Sequence, residues 1–272
     1  MELHPLAARF ADVAGAYERG RPEYPPAVAG AIAAELSVGP GEVVLDLAAG
    51  TGKFTRALLG IGMDVIAVEP QPPLREILAA NIGEERARAG FAEAIPLPDA
   101  SVAAVTVADA FHWFDHTRAL AEIRRVLRPG GGLAIVTTVP DWRGASWAEE
   151  VGELIEDLRP EHPAFDGVQW QDSVLAAKGW STPREIRVTT VQPADAERVI
   201  EYLSSVSWVA ALPEPRRDET LARLGAIVNA GETPAELPLN VAIGLTSLAA
   251  GAPDSTAERD RLSQQRARKQ PS

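Results

Sequence analysis

Apolar positions along this chain follow two rhythms. Val43-Val44-Leu45-Asp46-Leu47, Val65–Val68 and Val102–Val107 are short, nearly unbroken apolar runs rich in β-branched residues, the pattern of strands buried on both faces. Between them the spacing changes to three and four. Phe54, Ala57, Leu58 and Leu59 follow a glycine-bearing turn, and Leu74, Ile77 and Leu78 follow Pro72-Pro73, where a first-turn proline sacrifices no hydrogen bond. Leu120, Ile123 and Leu127 mark a helix over Arg118–Leu127, which Arg128-Pro-Gly-Gly-Gly132 ends; Leu133–Val139 predicts the next strand, and Phe91 and Ala92 end a short third one. Strand and helix alternating at this interval predict a parallel sheet wrapped on both sides.

The C-terminal third closes the sheet differently. Ile186–Val191 and Leu239–Leu245 alternate more strictly, as antiparallel strands near a sheet edge do, with helices expected over Ala194–Leu203 and Pro215–Val228. The predicted architecture is α/β: a Rossmann-like, seven-stranded, mostly parallel sheet with helices on both faces and a helical lid. Residues 1–40, rich in Ala and Pro, form an N-terminal lid segment. The main domain runs over 41–250 with cap insertions at 141–182 and 192–235, and a polar tail over 251–272 is expected to be disordered.

Charge narrows the partners. The 272 residues carry 26 basic and 38 acidic side chains, a net of −12, which disfavours nucleic acid and anionic membranes. There is no cysteine, so neither a disulfide framework nor a thiolate zinc site is expected. Four His without a carboxylate cluster give no metal site. No apolar run approaches the about 20 residues of a membrane span, and Met1-Glu-Leu-His-Pro5 lacks the blocks of a signal peptide. A cytoplasmic protein acting on a small molecule is the expected class; the oligomeric state is left open.

The chemistry concentrates in the first strand–helix turn, Asp46-Leu-Ala48-Ala-Gly50-Thr-Gly52-Lys53. Gly50 and Gly52 let backbone approach a ligand, and the helix behind them offers free N–H groups. Glu69, at the tip of the second strand, is placed to accept both hydroxyls of a ribose. A dinucleotide fingerprint needs a third glycine where Thr55 stands, and a phosphate loop needs Gly at Leu47 and Ser or Thr at Phe54. Another adenosine-containing cofactor remains.

Val44-Leu-Asp-Leu-Ala-Ala-Gly-Thr-Gly-Lys-Phe-Thr55 resembles the first motif of class I S-adenosylmethionine-dependent methyltransferases. Four further segments resemble the same family in order: Val65-Ile-Ala-Val-Glu69-Pro, Gly90-Phe-Ala-Glu93-Ala-Ile-Pro-Leu-Pro-Asp99, Ala108-Asp109-Ala-Phe-His112-Trp113-Phe-Asp115 and Leu127-Arg-Pro-Gly-Gly131. The likeness covers roughly residues 10 to 248 and extends to a small-molecule subgroup with a His-Trp-Phe loop after strand four. It implies S-adenosyl-L-methionine as cofactor, bound through Asp46, Ala48, Gly50 and Gly52 in the first turn. Glu69 and Gln71 would meet the ribose, Ala92 and Glu93 the adenine edge, and Asp109 and Ala110 the sulfonium end. Tyr17-x-x-x-Arg21-Pro-x-Tyr24-Pro is also similar to that subgroup, with Arg21 facing the cofactor carboxylate and Tyr17 the reaction chamber. The family usually has Gly where this chain has Ala48.

His112 is the sharpest candidate for catalysis, as a general base or as a residue that shapes the loop or the pocket wall. Phe111, Trp113, Phe114, Trp142, Trp147 and Trp208 divide between an aromatic substrate pocket and ordinary core. The resemblance implies methyl transfer to a small-molecule acceptor: the carbon of an electron-rich ring such as an indole, or the oxygen of a small acid or phenol, in specialised metabolism. The alternative from another class is a non-catalytic cofactor-binding regulator on the same fold.

Overall fold

The computed structural model describes residues 1–141, 147–233 and 236–249; Trp142 and the tail expected over 251–272 lie outside the described residues. The strands are β1 Val43–Leu47, β2 Asp64–Val68, β3 Ala87–Arg88, β4 Val102–Ala108, β5 Leu127–Pro140, β6 Arg184–Pro193 and β7 Glu236–Ser247. They form one seven-stranded sheet in the order β3-β2-β1-β4-β5-β7-β6. β3 through β5 pair in parallel, and β7 runs antiparallel between β5 and β6. The α/β architecture read from the alternating pattern is the one observed.

Helices α1 Pro5–Ala8, α2 Ala14–Gly20 and α3 Pro26–Leu36 precede β1. α4 Lys53–Gly60, α5 Pro72–Ile82 and α6 His116–Val126 connect the parallel strands. α7 Ala148–Leu158, α8 Pro163–Asp166 and α9 Trp170–Ala176 lie between β5 and β6, and α10 Ala196–Ser204, α11 Ser207–Ala210 and α12 Glu214–Ala230 between β6 and β7. Leu45 and Leu47 point to the face covered by Leu120 and Ile123 of α6. Val44, one residue out of phase, points to the opposite face, with Val28 and Ile32 of α3 and Phe54 and Leu58 of α4. This two-sided burial is why β1 reads as a continuous apolar run. A separate helical core joins Trp147 and Val151 to Val199, Leu203, Leu224 and Val228.

Several boundaries differ from the sequence reading: β5 already begins at Leu127 and runs through the Arg128–Gly132 segment expected to be a turn. The third strand is Ala87–Arg88 and stops short of the end expected at Phe91-Ala92, because β2 takes its edge bonds from Arg86 and Arg88: their carbonyls accept from the N–H groups of Ala67 at 2.9 Å and Glu69 at 3.0 Å. The chain then bends away, and Phe91 keeps only a bridge to Ala94. α6 begins at His116 because Asp115 caps it, its Oδ1 accepting from Arg118 N at 3.1 Å. α10 begins at Ala196, since β6 continues through Pro193 and Asp195 caps the helix from Arg198 N at 2.8 Å.

Candidate active site

Parallel pairing brings the carboxyl ends of β1, β2 and β4 to one rim of the sheet, where such sheets gather their ligand-binding turns. After β1 the backbone enters the left-handed region at Ala48 (φ 57°), Gly50 (φ 58°) and Gly52 (φ 90°). Gly52 is also needed for packing: a Cβ there would stand 2.8 Å from Leu78 Cδ1 of α5. At Ala48 the chain adopts the conformation with a Cβ present, at a steric cost that glycine would not carry.

Glu69 ties the two turns together. Its Oε2 accepts from Gly50 N and its Oε1 from Gln71 N, both at 2.9 Å. Only 3% of the residue is exposed, and burial pushes its carboxyl up to about 7 against the pull of those N–H groups. Gln71 in turn donates from Nε2 to Ala7 O at 3.1 Å, fastening the tip of β2 to the N-terminal segment.

These turns floor a cavity of about 110 Å3. Ala48 and Gly50, Glu69 and Gln71, Ala92 and Glu93, and Asp109 and Ala110 line it from four successive loops. Tyr17 and Arg21 cover it, with Leu3, Phe10, Trp113 and Phe114. Ten of the thirteen residues singled out in the sequence therefore meet in one place. Three do not. Gly52 faces α5. Asp46 lines the small chamber beside this cavity instead, its Oδ2 accepting from Thr55 Oγ1 at 2.6 Å and its Oδ1 from Thr106 Oγ1 at 3.1 Å; burial pushes its carboxyl up to about 6. His112 lines a separate outer groove of about 920 Å3 along α6 and α9. Phe114 belongs to both cavities.

The cover is held by polar contacts. Asp109 (φ 52°) accepts from Tyr24 Oη at 2.5 Å and from Thr138 N at 2.8 Å, and burial raises its carboxyl above the usual range. Arg21 donates from Nε to Ser205 Oγ at 2.8 Å and from Nη2 to Ser205 O at 2.9 Å. Its guanidinium lies 5.3 Å from the Tyr17 ring centre and 4.7 Å from that of Tyr202. Burial pushes the Tyr17 phenol up to about 12, so it remains protonated at neutral pH. Lys53, 5% exposed, pairs with Glu23 at 2.6 Å and Glu18 at 3.7 Å, and Arg56 reaches the same two acids.

The aromatic residues divide. Trp113 and Phe114 line the cavity, whereas Phe111 packs in the sheet core and Trp147 in the helical core. Trp208 donates to Ile155 O at 3.1 Å and meets His162 with ring centres 5.1 Å apart. Sequence reasoning gave His162 no role, yet it is 3% exposed and packs against Trp113 at 4.8 Å and His112 at 5.6 Å. No local pattern marks it, since its neighbours come from other elements. His116 is half-buried, with Nδ1 2.6 Å from Ser173 Oγ. Tyr24 was legible only as part of the Arg-Pro-x-Tyr-Pro cluster. Among the described residues no group of three or more His, Asp or Glu converges as a metal site, and no helix is long and apolar enough to cross a membrane.

A family model described as a methyltransferase domain matches residues 45–135, from β1 into β5. An uncharacterised methyltransferase from Mycobacterium bovis is 38% identical over 219 residues, covering 80% of this chain and 85% of that protein. A demethylmenaquinone methyltransferase from Thermus thermophilus is 36% identical over 109 residues, 38% of this chain and 50% of that one. A solved structure described as a type II methyltransferase, from Anaeromyxobacter dehalogenans, superimposes with a TM-score of 0.55 at 26% identity, over 83% of this chain and 97% of its own. The chain belongs to the class I methyltransferases, enzymes that take their methyl group from S-adenosylmethionine.

Proposed function

We propose that the cavity holds the nucleoside of S-adenosylmethionine through Glu69 and presents its methyl group to a small, flat acceptor covered by Tyr17, Phe10, Trp113 and Phe114. The carrying observation is the carboxylate of Glu69. It is buried at the cavity floor with one backbone N–H on each oxygen, which leaves a lone pair on each for a ribose diol. The polar end of the donor is directed towards the small chamber beside it, where Tyr17, Thr51 and Lys53 meet and the buried Thr51 Oγ1 makes no hydrogen bond. Ala92 and Glu93 then face the adenine edge, and Asp109 and Ala110 the sulfonium.

The donor supplies a carbon already activated for displacement. The chain's own residues orient the partners and exclude water, effects that together supply several kcal/mol. The acceptor reading is a ring carbon of an electron-rich aromatic, or the oxygen of a phenol or small acid. The aromatic cover supports it, as does the similarity to a demethylmenaquinone methyltransferase. The lid reading joins residues 1–40 with the insertions 141–182 and 192–235. Small-molecule sites occupy about 300–1,000 Å3, so the cover of this smaller cavity moves outward to admit both ligands.

The test is calorimetric titration of S-adenosylhomocysteine into wild type and Glu69→Ala. Losing charge-assisted bonds worth about 1.5–3 kcal/mol each weakens affinity by a factor of ten or more. Equal affinity of the two proteins rejects the ribose assignment.

A further inference from the structure

We infer that Asp109 is the base of this site: it takes the hydroxyl proton of a neutral phenolic acceptor while the phenol oxygen is methylated. The inference rests on the methyl-transfer reading above, chooses among the acceptors named there and gives the proton a destination.

Charge selects a neutral acceptor. Four carboxylates line the cavity, from Glu2, Glu69, Glu93 and Asp109, against the single guanidinium of Arg21. That lining repels a carboxylate or a phenolate, whereas a neutral hydroxyl finds hydrogen-bond acceptors there. A neutral phenol loses its proton in the course of the reaction, and a positioned base lowers the barrier to that loss.

The other groups at the cavity are placed elsewhere or cannot take a proton. Glu69 stands at the ribose position with a backbone N–H on each oxygen. Glu93 stands at the adenine edge, its Oε1 accepting from Asp115 N at 2.9 Å, and Glu2 is exposed at the rim. Arg21 is a permanent cation, and burial keeps the Tyr17 phenol protonated. His112 packs on Trp113 with ring centres 4.5 Å apart and lines the outer groove.

Asp109 combines position with free capacity. It follows the last residue of β4, and its left-handed backbone (φ 52°) takes the chain out of the strand beside the sulfonium position. Oδ2 accepts from Tyr24 Oη and Oδ1 from Thr138 N, so the carboxylate is held at both ends while each oxygen keeps a lone pair. Burial raises its carboxyl above the usual range, which makes it a stronger base; Arg21 and a bound sulfonium favour its ionised form.

In the step, a lone pair of the phenol oxygen bonds to the methyl carbon and the carbon–sulfur pair returns to sulfur, cancelling its charge. The O–H proton passes to Asp109. A carboxylate suffices because the hydroxyl turns acidic as its oxygen gives up electron density. The products are an aryl methyl ether and S-adenosylhomocysteine, and Asp109 returns the proton to solvent as they leave. Tyr24 is a positioning residue in this scheme.

The experiment measures kcat of the full-length protein at saturating S-adenosylmethionine with two probes. 4-Methylphenol is neutral at pH 7, as a phenol ionising near 10 should be, and 4-nitrophenol is supplied ionised at about pH 9. For 4-methylphenol, wild-type kcat should fall about tenfold per pH unit below the pKa of Asp109. Asp109→Asn should lower kcat about 100-fold or more at pH 7 and remove that limb. With ionised 4-nitrophenol, which brings no proton, the loss should shrink to about threefold or less. Tyr24→Phe removes a bond that favours the carboxylate, so it should move the limb to higher pH.

Equal losses with the two probes, an undiminished 4-methylphenol rate, a limb retained in Asp109→Asn, or methylation of neither phenol by wild type overturns the inference. If Asp109→Asn does not fold, an unmoved limb in Tyr24→Phe overturns it alone. Failure of wild type to bind S-adenosylhomocysteine overturns the underlying methyl-transfer reading instead.

Discussion

Tyr24 donates its phenolic proton to Asp109 at 2.5 Å, joining the loop ahead of α3 to the end of β4 across 85 residues of sequence. Asp109 sits in the left-handed region, and its remaining protein partner is the N–H of Thr138. Tyr24→Phe therefore strands a buried carboxylate oxygen. Such an unsatisfied group costs about 1–3 kcal/mol, more when charged. Urea unfolding at pH 7 should show that loss with an unchanged m-value. A midpoint within error of wild type would mean that water replaces the hydroxyl without penalty.

Glu69 and Asp46 predict how stability depends on pH. Both carboxyls titrate higher in the fold than in the unfolded chain, at about 7 and about 6. In the interval between unfolded and folded values the native state binds more protons, so stability falls as pH rises. As far as these two groups decide, the ligand-free protein should be most resistant to heat at or below about pH 4, losing on the order of a few kcal/mol by pH 7. Glu69→Gln removes one of the two titrations and should flatten the slope between about pH 4 and 7. An identical slope in the variant would show that Glu69 is not a source of it.

The parallel half of the fold was legible because its strands are buried on both faces and its helices carry a single apolar stripe. The rim was legible for the same reason: Gly50, Glu69 and Asp109 are placed by the ends of those strands. What failed was side-chain direction. Asp46 stands beside the cavity in sequence, but the strand's alternation turns its carboxylate into Thr55 and Thr106. His112 follows Ala110 by two residues, yet the 3-10 turn over Phe111–Trp113 sends it to the outer groove while Trp113 takes the cavity wall. His162 and Ser205 gain their positions from contacts between distant segments, which no local spacing records.

Ala48 tests the one departure from the family pattern. Its left-handed backbone costs an L-residue about 1–2 kcal/mol relative to glycine, while glycine adds about 0.4–1 kcal/mol of unfolded-chain entropy. Ala48→Gly should stabilise the protein by up to about 1 kcal/mol, read as a higher melting temperature. Destabilisation would indicate that the Ala48 methyl group makes a compensating contact at the cavity floor.

Gly20 decides how closely the cover can sit. It ends α2 against α10, where a Cβ would stand 2.2 Å from Tyr202 N and 2.4 Å from Glu201 C. Both are backbone atoms, so no rotamer change relieves the clash and the helices must separate. Separation also disturbs the bond from Arg21 to Ser205 and the ion pair of Arg19 with Glu201 at 2.8 Å. Gly20→Ala should cost about 1–3 kcal/mol and weaken S-adenosylhomocysteine binding, because Tyr17 rides on the same helix and Arg21 follows it directly. Gly30→Ala is the control: it lies within α3, where a Cβ meets nothing within 4 Å, and the gain in helix propensity should stabilise by about 0.5–1 kcal/mol. If both variants behaved alike in calorimetry, the tight crossing of α2 and α10 would not be what holds the cover down.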